Sequence, residues 1–211
     1  MAAEIQAPDT RTSILKAGGE LLSQRGFSAV GLAEILRTAG VPKGSFYHYF
    51  GSKDEFGVAL LVSYFEDYHT WMDQMFRQSG LRAVEKLIFY FSQWRETQAA
   101  NACQGRCLVV KLGAEVSDLS DPMRRALNEG TNGIVARVSD VLEKGLEDQS
   151  IHLQANTSEV AATLYQLWIG ASILAKISRQ SQPLETAMRT TRQMLGQDAI
   201  HRPVSNLGQG G

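Results

Sequence analysis

Apolar residues recur at intervals of three and four along most of the chain, and little interrupts them. Proline removes a backbone N–H and glycine loosens the backbone, so either residue spread through such stretches works against long helices. Only five prolines occur in 211 residues, and the nineteen glycines read as helix ends and tail. The pattern predicts an all-α chain. A hydrophobic share of 44% suits an ordinary globular core, and the length suits one large domain or a small one joined to a larger. The formal charge of -1 supplies no general attraction for nucleic acid, so any such contact must come from a local patch.

The opening Met1-Ala2-Ala3-Glu4-Ile5-Gln6 has no basic segment leading into an apolar one. The longest nearly uncharged apolar stretch, 164–175, is shorter than the about 20 residues that span a bilayer. The expectation is a soluble, cytoplasmic protein without membrane contact. Cys103 and Cys107 are too few for a disulfide framework and fit a reducing compartment, where they act as thiols.

A first helix is expected to open at Thr10 or Thr12 as N-cap, with Ile14, Ala17, Leu21 and Leu22 on one face and a stop at Arg25-Gly26, ahead of Phe27. A second covers 31–38, turns Leu32, Ile35 and Leu36 inward, and closes at Ala39-Gly40-Val41, where Gly40 suits a left-handed turn. A third starts at Pro42, favoured at the first helical position, and runs to about Phe50. Ser52 caps a fourth, with Glu55 at capping-box spacing, and this helix runs through Leu60, Leu61, Tyr64, Phe65 and Trp71 to about Arg77 as a connector. Longer helices are expected over 81–97, 105–116, 122–146, 157–179 and 183–195. The implied segments are 1–55 and 56–196, with 197–211 a disordered tail.

Two short helices joined by a turn containing Gly40 have helix-turn-helix proportions. On the second of them Phe46, Tyr49 and Phe50 share one side, whereas Lys43, Tyr47 and His48 share the other. From Arg37 to Lys53 the chain carries Arg37, Lys43 and Lys53 and no acid, a local positive strip suited to a phosphate backbone. Gly44 leaves room for close backbone approach, Ser45 and Tyr47 can donate to phosphate oxygens, and Lys43 can reach a phosphate or a guanine edge. The competing reading is an aromatic bundle surface with no nucleic-acid role.

The run Ala39-Gly40-Val41-Pro42-Lys43-Gly44-Ser45-Phe46-Tyr47-His48-Tyr49-Phe50-Gly51-Ser52-Lys53-Asp54-Glu55-Phe56 closely resembles the helix-turn-helix signature of TetR-type repressors. The resemblance extends over roughly the first sixty residues. It implies that Lys43, Ser45, Tyr47 and His48 make the major-groove contacts, that Lys53 anchors a phosphate, and that a dimer binds a palindromic operator and leaves it when an effector binds. Val160, Leu164, Leu167, Ala171, Leu174 and Ser178 repeat at the period of a packing seam, and Leu184, Ala187, Met188, Thr191 and Leu195 share a face of the next helix. Both faces could equally pack inside one subunit; the resemblance implies a dimer interface built from these last two helices. The reading helices of such a dimer lie about 34 Å apart, or a multiple of that.

Cys103 and Cys107 stand four apart without a third ligand nearby, so no metal site is expected, and no cofactor. Cys107 follows Gly105-Arg106 at an expected helix start, where backbone N–H groups, the Arg106 charge and Lys111 one turn on all favour thiolate. The alternative is a buried free cysteine acting as a small hydrophobe. The pattern Cys107-Leu108-x-x-Lys111-Leu112-x-Ala114-Glu115-Val116-x-Asp118-Leu119-Ser120-x-x-Met123-Arg124, with Leu167-Trp168-Ile169-Gly170-Ala171 and Ala175-Lys176-Ile177-Ser178-Arg179, resembles the TetR subgroup that represses N-ethylmaleimide reductase. That resemblance implies release from DNA when an electrophile or oxidant modifies Cys107. Lys176, a lysine inside an otherwise apolar helix, is then its charged or nucleophilic neighbour, unless it is a solvated helix cap.

A noncovalent hydrophobic effector is the alternative trigger, in a pocket lined by Phe89, Tyr90, Trp94, Tyr165 and Trp168, residues that serve equally well as core. Catalysis by Cys107 needs a histidine base. His48 belongs to the DNA motif, His201 to the tail, and His69 and His152 lie in polar surroundings, so no enzyme is expected. A pure interaction module without DNA binding is the remaining class.

Overall fold

The computed structural model describes residues 9–103, 105 and 107–197. Among them are nine helices and no strand: α1 (Thr10–Arg25), α2 (Leu32–Ala39), α3 (Lys43–Tyr49), α4 (Lys53–Phe76), α5 (Ala83–Cys103), α6 (Leu108–Leu119), α7 (Asp121–Glu147), α8 (Thr157–Ser178) and α9 (Gln182–Met194). The all-α expectation holds, with the helix-turn-helix at α2 and α3. Arg106, and the tail beyond Gln197 for which disorder was expected, lie outside the described residues.

Several helix ends differ from expectation for local reasons. Asp9, not Thr10 or Thr12, is the N-cap of α1: its backbone is extended and its carbonyl accepts the Ser13 N–H at 2.9 Å, so Thr10 is already helical. Pro42 stands just outside α3 as its N-cap, at φ -70° and ψ 155°. A ring that fixes φ near this value suits both positions, so proline alone could not separate them. Gly40 takes the expected left-handed conformation, φ 70° and ψ 28°. Ser52 Oγ accepts the Glu55 N–H at 3.1 Å, while the Glu55 carboxylate returns to the Gly51 N–H at 2.9 Å, one residue earlier than the usual reciprocal cap. In α5 the backbone leaves helical geometry at Ala100, and Asn101 and Ala102 are left-handed. Helix α6 begins at Leu108, so Cys107 is its N-cap and Gly105 is outside it.

The described residues pack as two compact units, drawn from Met1–Gln74 with Gln104–Ile134 and from Met75–Cys103 with Val135–Gly211. The first cuts across the sequence limit at residue 55, because α6 packs against α1 and stays with the N-terminal helices. Its core holds Ile14, Leu22, Ile35, Phe46 and Phe56, all fully buried. Gly18 and Gly130 lie inside helices, contrary to the reading of glycines as helix ends. A Cβ at Gly18 would run into the Phe56 ring, and one at Gly130 into the Phe65 ring, so both glycines exist for close packing.

The second unit is centred on aromatic rings. Phe91 stacks on Trp168 at 5.2 Å, and Trp94 packs on Trp168 at 5.9 Å and on Tyr165 at 5.7 Å. Each indole N–H has a hydroxyl acceptor: Trp94 Nε1 donates to Ser172 Oγ at 3.0 Å, and Trp168 Nε1 to Thr191 Oγ1 at 2.9 Å. Asp148 caps α5, accepting the Ala83 N–H at 3.0 Å.

By length and composition alone α8 could cross a membrane, with a mean hydropathy of 1.4 in its most apolar window. The stretch 164–175 taken alone is too short to do so. One side of the helix is covered by its own unit, through Ala161, Leu164, Trp168 and Ala175. The expected seam on α8 is split: Val160, Leu164 and Ala171 are buried within the subunit, whereas Leu174 and Ser178 are exposed. Because α8 is apolar around most of its circumference, periodicity could not say which stripe meets its own subunit. The stripe left outside holds Ile173, Leu174 and Ile177, the last 74% exposed. On α9 the expected face, Leu184, Ala187, Met188, Thr191 and Leu195, is wholly buried inside the subunit.

Candidate nucleic-acid interface and sensory cysteine

Helix α3 is seven residues long, too short to persist without tertiary support. Phe46 supplies that support: fully buried, it packs on Phe50 at 5.2 Å and on Phe56 of α4 at 5.8 Å. With Phe46 and Phe50 inward, helical geometry turns Lys43, Gly44, Tyr47 and His48 outward, and all four are exposed. Ser45 and Tyr49 are half-buried at the margin. Tyr47, 55% exposed, shares a cleft of about 440 Å³ with Arg37, Lys43, Leu32, Ala33, Leu36 and Val41. Three of the expected DNA contacts thus line one concavity between α2 and α3. The nearest acid on α2, Glu34, is paired with Arg25 at 2.6 Å.

Lys53 is placed differently. Its Nζ donates to the Phe27 carbonyl at 2.8 Å and lies 4.5 Å over the Phe27 ring. Partial burial pushes the ammonium below its ordinary value, a push that the charges of Glu115 and Asp54 only partly oppose. In this structure its ammonium holds the α1–α2 turn.

The same turn is held from α6. Glu115 accepts the Phe27 N–H at 3.0 Å and the Ser28 N–H at 2.7 Å. Burial works against its charge and is the largest single influence. The hydrogen bonds from Ser28 and Phe27, with Lys111 nearby, together outweigh it and hold the carboxyl below its ordinary value. Nothing in the sequence marks Glu115 for this role, since its partners lie 87 and 88 residues away and no local pattern links them.

Cys107 is half-buried at the N-cap of α6, and its carbonyl accepts the Lys111 N–H at 3.0 Å. The Tyr64 hydroxyl of α4 donates toward its Sγ at 3.9 Å, a neighbour that nothing in the sequence announced. Beside this pair, Leu15, Gly19, Leu60, Ser63, Tyr64 and Leu108 line part of a cleft of about 400 Å³ between α1 and α4. Cys103 is buried, at the left-handed end of α5. Lys176 is half-buried in the last turn of α8, within the second unit. The five aromatic residues expected around a pocket do not share one environment. Tyr90, Trp94 and Trp168 are buried in the ring stack with half-buried Tyr165 at its edge, whereas Phe89 is 44% exposed beside Arg82 and Arg192. Among the described residues no group of three or more His, Cys, Asp or Glu side chains is placed to hold a metal ion.

Residues 14–60, which carry α3 and its phenylalanine anchor, match the family model for bacterial regulatory proteins of the tetR family, and residues 83–191 match the tetracyclin repressor-like C-terminal domain. The chain belongs to the TetR family. It is 40% identical over 192 residues to the HTH-type transcriptional repressor NemR of Escherichia coli, covering 91% of this chain and 96% of that one. It is 33% identical to the transcriptional regulator AcuR of Cereibacter sphaeroides over 187 residues, 87% of this chain and 85% of that one. The crystal structure of E. coli NemR in its reduced form superposes with a TM-score of 0.85 at 41% identity, covering 89% of this chain and 97% of that one. The TetR chain described here is accordingly a transcriptional repressor with an N-terminal helix-turn-helix and a C-terminal helical domain, and not an enzyme. TetR regulators bind DNA and act as dimers.

Proposed function

We propose that this TetR repressor holds a palindromic operator as a dimer, through α3 of each subunit, and releases it when an electrophile or oxidant modifies Cys107. The observation that carries the DNA half is the division of α3: Phe46 and Phe50 anchored below, Lys43, Tyr47 and His48 presented above, and Arg37 beside them. The strip from 37 to 53 has no acid, which favours phosphate contact even though the whole chain is near neutral. Residues 1–55 then act as the reading module and 56–196 as the sensing and dimerisation module.

The sensing half rests on Cys107. It stands at the start of a twelve-residue helix with the Tyr64 hydroxyl directed at its sulfur, and half-burial leaves it reachable. With N-ethylmaleimide the sulfur adds to the ring double bond: a C–S bond forms, the C=C π bond is lost, and a proton from water completes the adjacent carbon. A relative at 41% identity has been crystallised in a form named as reduced, which accords with thiol chemistry.

Mobility shift with a selected operator tests both halves. Unmodified protein should retard the duplex, and N-ethylmaleimide or methylglyoxal should release it. Cys107→Ser should bind but ignore the reagent, and Lys176→Ala tests whether that lysine takes part. Equal release of wild type and Cys107→Ser would remove the cysteine from the mechanism. The cleft between α1 and α4 favours a second reading, a noncovalent effector seated beside Tyr64, which would release the Cys107→Ser protein as well.

A further inference from the structure

The turn between α1 and α2 is gripped by both of its polarities. Helix α6 takes its N–H groups, through the Glu115 carboxylate at 3.0 Å from Phe27 N and 2.7 Å from Ser28 N. Helix α4 takes its carbonyl, through Lys53 Nζ at 2.8 Å from Phe27 O. Gly26, at φ 94°, makes the approach possible, since a Cβ there would stand 2.8 Å from Glu115 Oε2. A carboxylate accepting two backbone N–H groups is a directional, charge-assisted contact.

Helix α6 carries Cys107 at its N-cap and Glu115 about two turns on, roughly 12 Å along the axis. Between them Leu108 and Leu112 lie buried along one face, so the helix shifts as a piece or not at all. We propose that Glu115 is the positioning residue through which α6 sets the α1–α2 turn, and with it the seat of α2 and α3 against DNA. As the route by which a change at Cys107 reaches the reading helix, this rests on the sensing reading above. As a determinant of operator affinity it stands on the hydrogen bonds alone.

The test measures operator dissociation constants by fluorescence anisotropy and amide exchange at Phe27 and Ser28, for wild type, Glu115→Ala and Glu115→Gln, before and after N-ethylmaleimide. Glu115→Ala should lose amide protection at both positions and bind the operator roughly five- to tenfold more weakly, and its ratio of modified to unmodified dissociation constants should fall toward one. Glu115→Gln keeps one acceptor oxygen and should fall between. It carries the test should the alanine variant melt below the assay temperature. A purely structural role would lower the melting temperature and leave the ratio at the wild-type value, which overturns the linkage. Should wild type itself ignore the reagent, the cysteine reading fails while Glu115 is still judged: unchanged exchange and unchanged affinity of the unmodified variants overturn its role, and faster exchange with weaker binding sustains it.

Discussion

Lys43 and Lys53 show how far a residue can be read in isolation. Both are lysines of the same acid-free strip, yet Lys43 is exposed on α3 while Lys53 lies over the Phe27 ring and donates to its carbonyl. The sequence carries the charge of each but not its partner, because Phe27 is 26 residues away. Lys43→Ala should weaken binding about equally across operator variants if it touches only phosphate, and lower the slope of log affinity against log salt by about 1, as read from anisotropy titrations at several salt concentrations. In the second unit, Thr191 Oγ1 accepts the Trp168 indole N–H at 2.9 Å and donates to the Ala187 carbonyl at 2.8 Å. Thr191→Val nearly conserves shape but leaves a fully buried N–H without an acceptor, so stability should fall by about 1–3 kcal/mol in denaturant melts.

Among the elements, the crossing of α4 and α7 turns on Gly130. Alanine there has better helix propensity, a gain of about 0.5–1 kcal/mol. Its Cβ meets the buried Phe65 ring, and overpacking of this kind costs about 1–3 kcal/mol, so Gly130→Ala should lower the melting temperature. The α1–α2 turn should respond to acid. Glu115's carboxyl lies below its ordinary 4.5 in the folded chain, so its bonds stabilise fully above that value and are lost as pH falls through the lowered one. Wild-type urea midpoints should therefore drop in acid more steeply than those of Glu115→Gln. Equal slopes would assign the acid sensitivity to other carboxylates, among them Asp148 at the N-terminus of α5, which is also held below its ordinary range. Helix positions were legible throughout from apolar spacing, and their ends were less so. Asp9 replaces Thr10 because capping depends on which residue the backbone leaves extended, not on the residue type alone.

For the whole molecule, the outward stripe of Ile173, Leu174 and Ile177 on α8 is the surface a partner subunit is expected to cover. Ile177→Glu should raise the dimer dissociation constant at least about tenfold, since a carboxylate would have to be buried there. Light scattering after size exclusion reads the mass, and an unchanged dimer would move the interface elsewhere. Spacing identified α8 as apolar and long, but a helix apolar on several sides does not declare which stripe packs at home, and only folding split the expected face of α8 and placed that of α9 wholly inside. By itself the sequence determined the helices, the helix-turn-helix and the split of α3 into anchored phenylalanines and presented lysine and tyrosine. Those are properties of neighbours within a turn or two, where periodicity suffices. Only the tertiary structure decided that Glu115 and Lys53 grip one turn, that Tyr64 faces Cys107 and that the aromatic residues of the second unit pack into a core, because each joins residues far apart in the chain, and such meetings depend on how whole helices pack.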